Sequence, residues 1–392
     1  MIEPLTVDGA TLHVLSSVDQ VAASEWDALH TDDDSPFVEH AFLSCLERAG
    51  CAAPERGWTP SHLVWRKNNA VILALPAYEK MHSEGEFVFD WGWADAAMRA
   101  GIEYYPKLVV AVPFTPVTGR RLLRHASLSL DDAAKLAVAA IRHVVAQRKL
   151  SSAHVLFPHQ AECDALERRG LARREGVQFH WNNEGYASFD DFLARFQAKK
   201  RAALKRERAQ VAKDAMRIET LRGASLDPSL APEIHRLYRT TVDKFTWGRA
   251  YLNERFFRAL LERWRDRVEW VRAVDASGAV IAGAFNASRG KKLYGRYWGA
   301  FEERAFLHFN VCYYHSIDDA IARGMTVFEP GAGGEHKLAR GFDPTRTFSA
   351  HWIEDDRLDR AVRAFLAREV PAIRAAIERE HAESPLRRKG NG

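Results

Sequence analysis

The chain has 392 residues, 47% of them hydrophobic, with eleven Trp and twenty-one Phe, which is ample for large cores and longer than one ordinary domain. Its 56 basic and 52 acidic residues leave a net charge of only +4, so charge alone does not demand a nucleic-acid partner. The cysteines Cys45, Cys51, Cys163 and Cys312 form no C-x-x-C pair, which argues against a zinc site and for free thiols in a reducing compartment.

Residues 1–8 show no basic region followed by an apolar stretch, so no signal peptide is expected. No apolar run approaches the roughly twenty residues that span a bilayer. The expectation is a protein without a membrane span, located in the cytoplasm.

Along the chain, the pattern predicts strands over 63–66 and 70–78, joined by a turn at Lys67-Asn68-Asn69. Residues 87–93 and 107–112 are further strand candidates. From Asp131 to Arg148, apolar residues recur at Leu136, Ala140, Ile141, Val144 and Val145, a helical period opened by acids. A strand over 153–157 and a helix near 160–169 follow. Then come helices over 233–245 and 254–264. A strand meander covers 268–274, 279–287 and 292–297, with a turn at Asp275-Ala276-Ser277-Gly278. A helix over about 309–323, a strand at 326–328, a strand over 347–353 and a helical C-terminal stretch complete the order. Strands, helix, strand and helix thus occur twice. Two similar α/β domains with mixed sheets (α+β in character) fit this order, residues 1–186 and 187–392, divided near Ala187.

The segment 328–342 is the most informative. Behind an apolar strand it places Glu329, Glu335, His336, Lys337 and Arg340 around Gly331, Gly333, Gly334 and Gly341. Glycines admit positive φ and close backbone approach, and charges of both signs on a loop held by a scaffold mark a site. It matches neither G-x-x-x-x-G-K-[ST] nor G-x-G-x-x-G. The competing reading is a glycine-rich turn with solvated charges.

Other candidates lie elsewhere. Gly295 and Gly299 interrupt a strand that carries Tyr297, as glycines do at a bulge or where a ligand nears the backbone. Beyond it, Glu302, Glu303 and His308 suit acid/base chemistry, although the two acids equally suit a helix start. The basic run 199–208 places Arg201, Lys205 and Arg208 on one helical face, with Arg206 beside them. Such a face holds phosphates or is simply a solvated, ion-paired helix. Trp91 and Trp93, read on one side of a strand with Asp90 and Asp95 nearby, suit a cleft for an amine-bearing ligand or core packing. No G-x-S-x-G and no Cys beside a His support a covalent nucleophile.

The stretches 89–95, 104–119, 199–208, 295–299 with Glu302-Glu303, and 329–342 followed by Ser349-Ala350-His351-Trp352 together resemble the FemAB-like branch of the GNAT N-acyltransferase superfamily, predicted peptidoglycan biosynthesis or recognition proteins. The resemblance spans roughly 37–352. It implies two tandem GNAT-like acyltransferase domains and transfer of an acyl or aminoacyl group to a small-molecule or peptide amine. It further implies no tightly bound cofactor, with aminoacyl-tRNA or acyl-CoA as co-substrate and tRNA as a possible partner. Typical GNAT enzymes bind acetyl-CoA through [QR]-x-x-G-x-[GA]; the junction 299–305 here lacks that pattern.

Under this reading, Glu335 or His336 is the general base. Backbone N–H groups at Gly331, Gly333 and Gly334, with Lys337 or Arg340, stabilise developing negative charge. Arg201, Lys205 and Arg206 hold phosphates, and Tyr297, Glu303 and His308 lie in the cleft. The alternatives are an acyl-CoA-dependent N-acetyltransferase and a non-catalytic protein that binds a cell-wall or peptide ligand.

Overall fold

A computed structural model describes residues 3–244 and 250–386, and leaves the Glu335 side chain outside that description. The chain forms two compact units, residues 1–177 with 346–375, and residues 178–345 with 376–392. The expected division near Ala187 places one boundary. The contacts place three, because residues 346–375 return to the first unit.

In the first unit, the turn at Lys67-Asn68-Asn69 forms as expected. Asn68 and Asn69 both take positive φ, +51° and +65°, which matches the twist of a two-residue hairpin. It joins the antiparallel strands His62–Lys67 and Ala70–Leu75. These belong to a five-stranded sheet completed by Thr6–Val7, Ala10–Leu15 and Leu123–Arg124. The expected single strand over 70–78 is instead two, Ala70–Leu75 and Ala77–Lys80, in different sheets. Pro76 between them has no N–H to give to a ladder.

The second sheet of this unit pairs Trp58–Pro60, Ala77–Lys80 and Lys107–Val110 antiparallel. Lys107–Val110 then runs parallel to Ser152–Leu156. Helix Leu130–Arg148 is capped by the Ser129 side chain, which accepts from Asp132 N–H, and buries Leu136, Ala140, Ile141, Val144 and Val145. Sealing a side chain such as Ile141 or Val144 contributes about 1.5–3 kcal/mol.

The strand expected over 87–93 does not form; Trp91–Arg99 is a helix. Phe87, Phe89, Trp91 and Trp93 alternate like a strand. The helix nevertheless wins by burying Trp93 and Ala97, one turn apart, while Trp91 stays 46% exposed.

The second unit is built on the meander. Strands Arg217–Leu221, Val268–Val274, Val280–Arg289 and Lys292–Ala300 pair antiparallel in that order, and Val327–Glu329 adds parallel to the last. The Asp275 carboxylate fixes the turn by accepting from Ser277 and Ala279 N–H groups, with Gly278 at φ +88°. Helices Ala231–Val242 and Glu254–Arg263 are described; the expected end of the first at Phe245 lies outside the described residues. The helical stretch from Leu307 to Ala322 is continuous but contains a π turn at Asn310–Tyr314.

Candidate active site

The charged glycine loop lies on backbone. A Cβ on Gly295 would stand 3.2 Å from Pro330 Cα, and one on Gly331 would stand 3.3 Å from Gly295 O. The glycine in the strand is therefore a place of close approach, and the approaching group is the loop itself. Gly299 has a different cause: a Cβ there would stand 1.7 Å from the Leu237 carbonyl oxygen, so the helix Ala231–Val242 packs directly against it.

After Gly331, Gly333 and Gly334, at φ +88°, +74° and +96°, the chain makes the short 3-10 helix Glu335–Arg340, closed by Gly341 at φ +81°. This turn is held from two sides. Lys337 is buried, and its Nζ donates 2.6 Å to Gly331 O. Arg340 is also buried. It donates from Nη1 to His336 O at 3.0 Å, from Nε to Tyr314 Oη at 3.0 Å, and from Nη2 to Glu207 Oε2 at 2.9 Å. Its guanidinium lies 3.3 Å over the Phe309 ring, so it is stacked as well as paired. Tyr314 Oη also donates to Glu207 Oε2. His336 remains exposed, with Nε2 3.0 Å from Tyr313 Oη.

The titration of this cluster suits proton transfer near neutrality. Burial, then the Arg296 charge, pulls the Lys337 ammonium down to about 8. Burial, then the charges of Arg340 and Lys337, holds the His336 imidazolium below the ordinary range. His308 is pulled down to about 4 by burial and then by its cationic neighbours. It packs between the rings of Trp298, 5.0 Å away, and His336, 5.7 Å away. Neutral imidazole beside a cationic amine is therefore the resting state at neutral pH.

The other expected site residues are dispersed. Tyr297 lies on the strand Lys292–Ala300. It packs with Tyr238, Phe257 and Phe285 in an aromatic cluster. Glu303 is exposed and pairs with Lys244 at 2.7 Å. On the helix Ala198–Lys213, Arg201 donates to Phe196 O at 3.2 Å, Lys205 reaches Asp190 at 3.4 Å, and Arg206 is exposed. Lys200, from the same run, is pulled down by burial and then by Arg340. Trp91, Trp93 and Asp95 belong to the first unit. There Trp93 packs 4.8 Å from His351, and Trp91 and Asp95 are exposed.

Sequence reasoning missed Glu207, Arg296, Tyr313 and Tyr314. The signal for Glu207 was its being the lone acid in the basic run 199–208. The tyrosine pair gave none, because consecutive residues of an ordinary helix point about 100° apart. Among the described residues, no three His, Cys, Asp or Glu side chains gather so as to hold a metal ion. No described helix is long and apolar enough to cross a membrane.

With this geometry in place, comparison with known proteins defines the class. The family model FemAB-like, described as peptidoglycan biosynthesis/recognition, matches residues 17–388. Among solved structures, FemX is 11% identical, covering 88% of this chain and 98% of its own, with a TM-score of 0.54. L-PGS from Bacillus licheniformis is 9% identical over 83% of this chain and 95% of its own, TM-score 0.50. The C-terminal domain of a putative lysylphosphatidylglycerol synthetase from Agrobacterium fabrum is 11% identical over 88% and 95%, TM-score 0.50. These likenesses show that the mixed α/β fold is shared with FemX, L-PGS and the putative lysylphosphatidylglycerol synthetase domain. No curated protein sequence matches the chain. The chain belongs to the FemAB-like family.

Proposed function

We propose that the protein transfers an acyl or aminoacyl group to an amine of a cell-wall precursor or peptide, in the cytoplasm. The observation that carries this reading is Lys337. It is a buried amine with a pKa of about 8, clamped to the glycine loop beside the exposed, neutral His336.

The acceptor amine attacks the acyl carbonyl carbon, a C–N bond forms, and His336 takes the proton the nitrogen sheds. The Lys337 ammonium, with N–H groups of the 331–334 loop, faces the oxyanion of the tetrahedral intermediate. Collapse breaks the bond to the donor, and the His336 proton passes to the departing oxygen or sulfur. Arg340 keeps the turn in place and adds positive charge. The proposed donor is aminoacyl-tRNA, favoured by the exposed Lys199, Lys205 and Arg206 on the helix Ala198–Lys213.

Incubation of the protein with charged tRNAs and acyl-CoAs in separate pools, together with amine acceptors, tests this by mass spectrometry. An added aminoacyl mass is expected. An acyl mass from the CoA pool alone would replace the donor assignment. Absence of product from either pool, with saturable binding of a wall precursor, would replace transfer by recognition.

A further inference from the structure

The helical stretch beneath the loop contains two local costs that share one residue. Phe306 takes φ +61° at the start of the helix, a conformation in which a bulky side chain is a genuine outlier. Four residues on, the helix widens: His315 N–H bonds Asn310 O, five residues back, and residues Asn310–Tyr314 form a π turn. Isolated π turns are uncommon and gather at functional sites, and strain persists only where the surroundings over-determine it.

Asn310 is what over-determines both. It is 3% exposed. Its backbone N–H donates to Phe306 O at 3.0 Å, and its side-chain Nδ2 donates to the same oxygen at 3.0 Å. The same Nδ2 donates to Glu207 O at 2.9 Å. One carboxamide thus ties the strained residue, the widened turn and the helix that supplies Glu207.

The widened turn lets two consecutive side chains reach opposite ends of the Glu335–Arg340 helix. Tyr313 meets His336, and Tyr314 meets Arg340 and Glu207. In a regular α-helix one extra residue would not fit between Phe309 and His315, and the tyrosines would rotate away from at least one of these partners.

We propose that Asn310 is a positioning residue that fixes the π turn, and through it holds Tyr313 against His336 and Tyr314 against Arg340. It touches neither substrate nor reacting atoms. Its consequence for catalysis rests on the transfer reading above, but its geometry does not, so it is tested on the free protein.

The experiment is an NMR pH titration of His336 in wild type, Tyr313→Phe and Asn310→Ser, with the protein labelled at histidine. Tyr313→Phe removes the partner directly and defines the change in His336 resonance and midpoint. Asn310→Ser is expected to reproduce that change, in resonance position and midpoint alike, while the thermal transition stays cooperative. If Asn310→Ser does not fold, Asn310→Leu serves instead, because a side chain of nearly the same shape cannot donate to the two carbonyls. Wild-type His336 behaviour in a folded Asn310 variant overturns the proposal. So does a His336 change unlike that of Tyr313→Phe. Failure of the transfer assay with the expected titration would count against the proposed reaction and leave the positioning role standing.

Discussion

Lys107 Nζ lies 2.9 Å from Glu86 Oε2 inside the first unit, with both side chains essentially sealed from water. The same ammonium donates 2.5 Å to Asp90 and 2.8 Å to Ser83. Tyr104 Oη adds a bond to Asp90 at 2.6 Å. Two carboxylates around one lysine leave Glu86 Oε1 and Asp90 Oδ1 without a donor; Lys107 is the lysine that hydrogen-bonds both, and the buried Lys80 adds its charge nearby.

Lys107→Met is therefore expected to destabilise the protein by about 3–5 kcal/mol, the range for stripping one partner from a buried ion pair. Urea unfolding followed by tryptophan fluorescence measures this. A loss below about 1 kcal/mol would show that water or a rearranged side chain replaces the ammonium.

Glu86 also makes the stability depend on pH. Burial pushes its carboxyl from 4.5 up to about 7, against the pull of Lys107 and with the push of Asp90. The folded state therefore holds this proton more tightly than the unfolded state. The contribution is complete below about 4.5 and is lost as pH rises to about 7. Glu86→Gln is expected to gain on wild type across that window by about 3 kcal/mol, read from unfolding midpoints at several pH values. A constant difference from pH 4 to 8 would refute it.

The proposed reaction has its own pH signature. Activity should rise as His336 loses its proton, below the ordinary histidine range, and fall as Lys337 loses its own near 8. Lys337→Met should remove the alkaline limb and lower kcat/KM by about 10²–10³-fold. His336→Ala should remove the acid limb and cost about 10²–10⁴-fold. A pH–rate profile of each variant checks this, and an unchanged alkaline limb in Lys337→Met would reassign the group.

Gly299→Ala should unfold the second unit's sheet locally, because its Cβ would lie 1.7 Å from Leu237 O and 2.3 Å from Leu237 C. Neither is the end of a flexible side chain. A loss of at least about 3 kcal/mol is expected, at or beyond the usual overpacking range, and thermal unfolding measures it.

Much of the fold was legible because its causes are local. The Asp131 acids and the Leu136-to-Val145 period announced their helix, and two asparagines in sequence announced a hairpin. The alternating Phe87, Phe89, Trp91 and Trp93 misled, since the segment instead buries Trp93 and Ala97 one helical turn apart, behind an Asp90 that turns inward to Lys107, seventeen residues later. The strand Ala172–Asn182 was hidden by Arg173, Arg174 and Glu175. These look solvated, yet Arg174 pairs with Glu369 and Glu175 with Arg374, almost two hundred residues away.

The candidate site was legible only as a loop with chemistry on it. Its supports, Glu207, Tyr313, Tyr314 and Asn310, act through tertiary hydrogen bonds that no short pattern encodes. The strand glycines show the limit well. Gly295 and Gly299 read alike in sequence, but one admits a loop and the other a helix carbonyl.

The helix Ala198–Lys213 buries only Leu204 among its sixteen residues. Much of the rest of its attachment is polar: Glu207 to Arg340, Arg208 to Asp318, and the Glu207 carbonyl to Asn310. An element fastened by charge rather than by oil responds to ionic strength. Raising the salt concentration should therefore weaken the half-exposed Arg208–Asp318 pair first, while the sealed Glu207–Arg340 pair keeps its hold on the turn that carries Lys337.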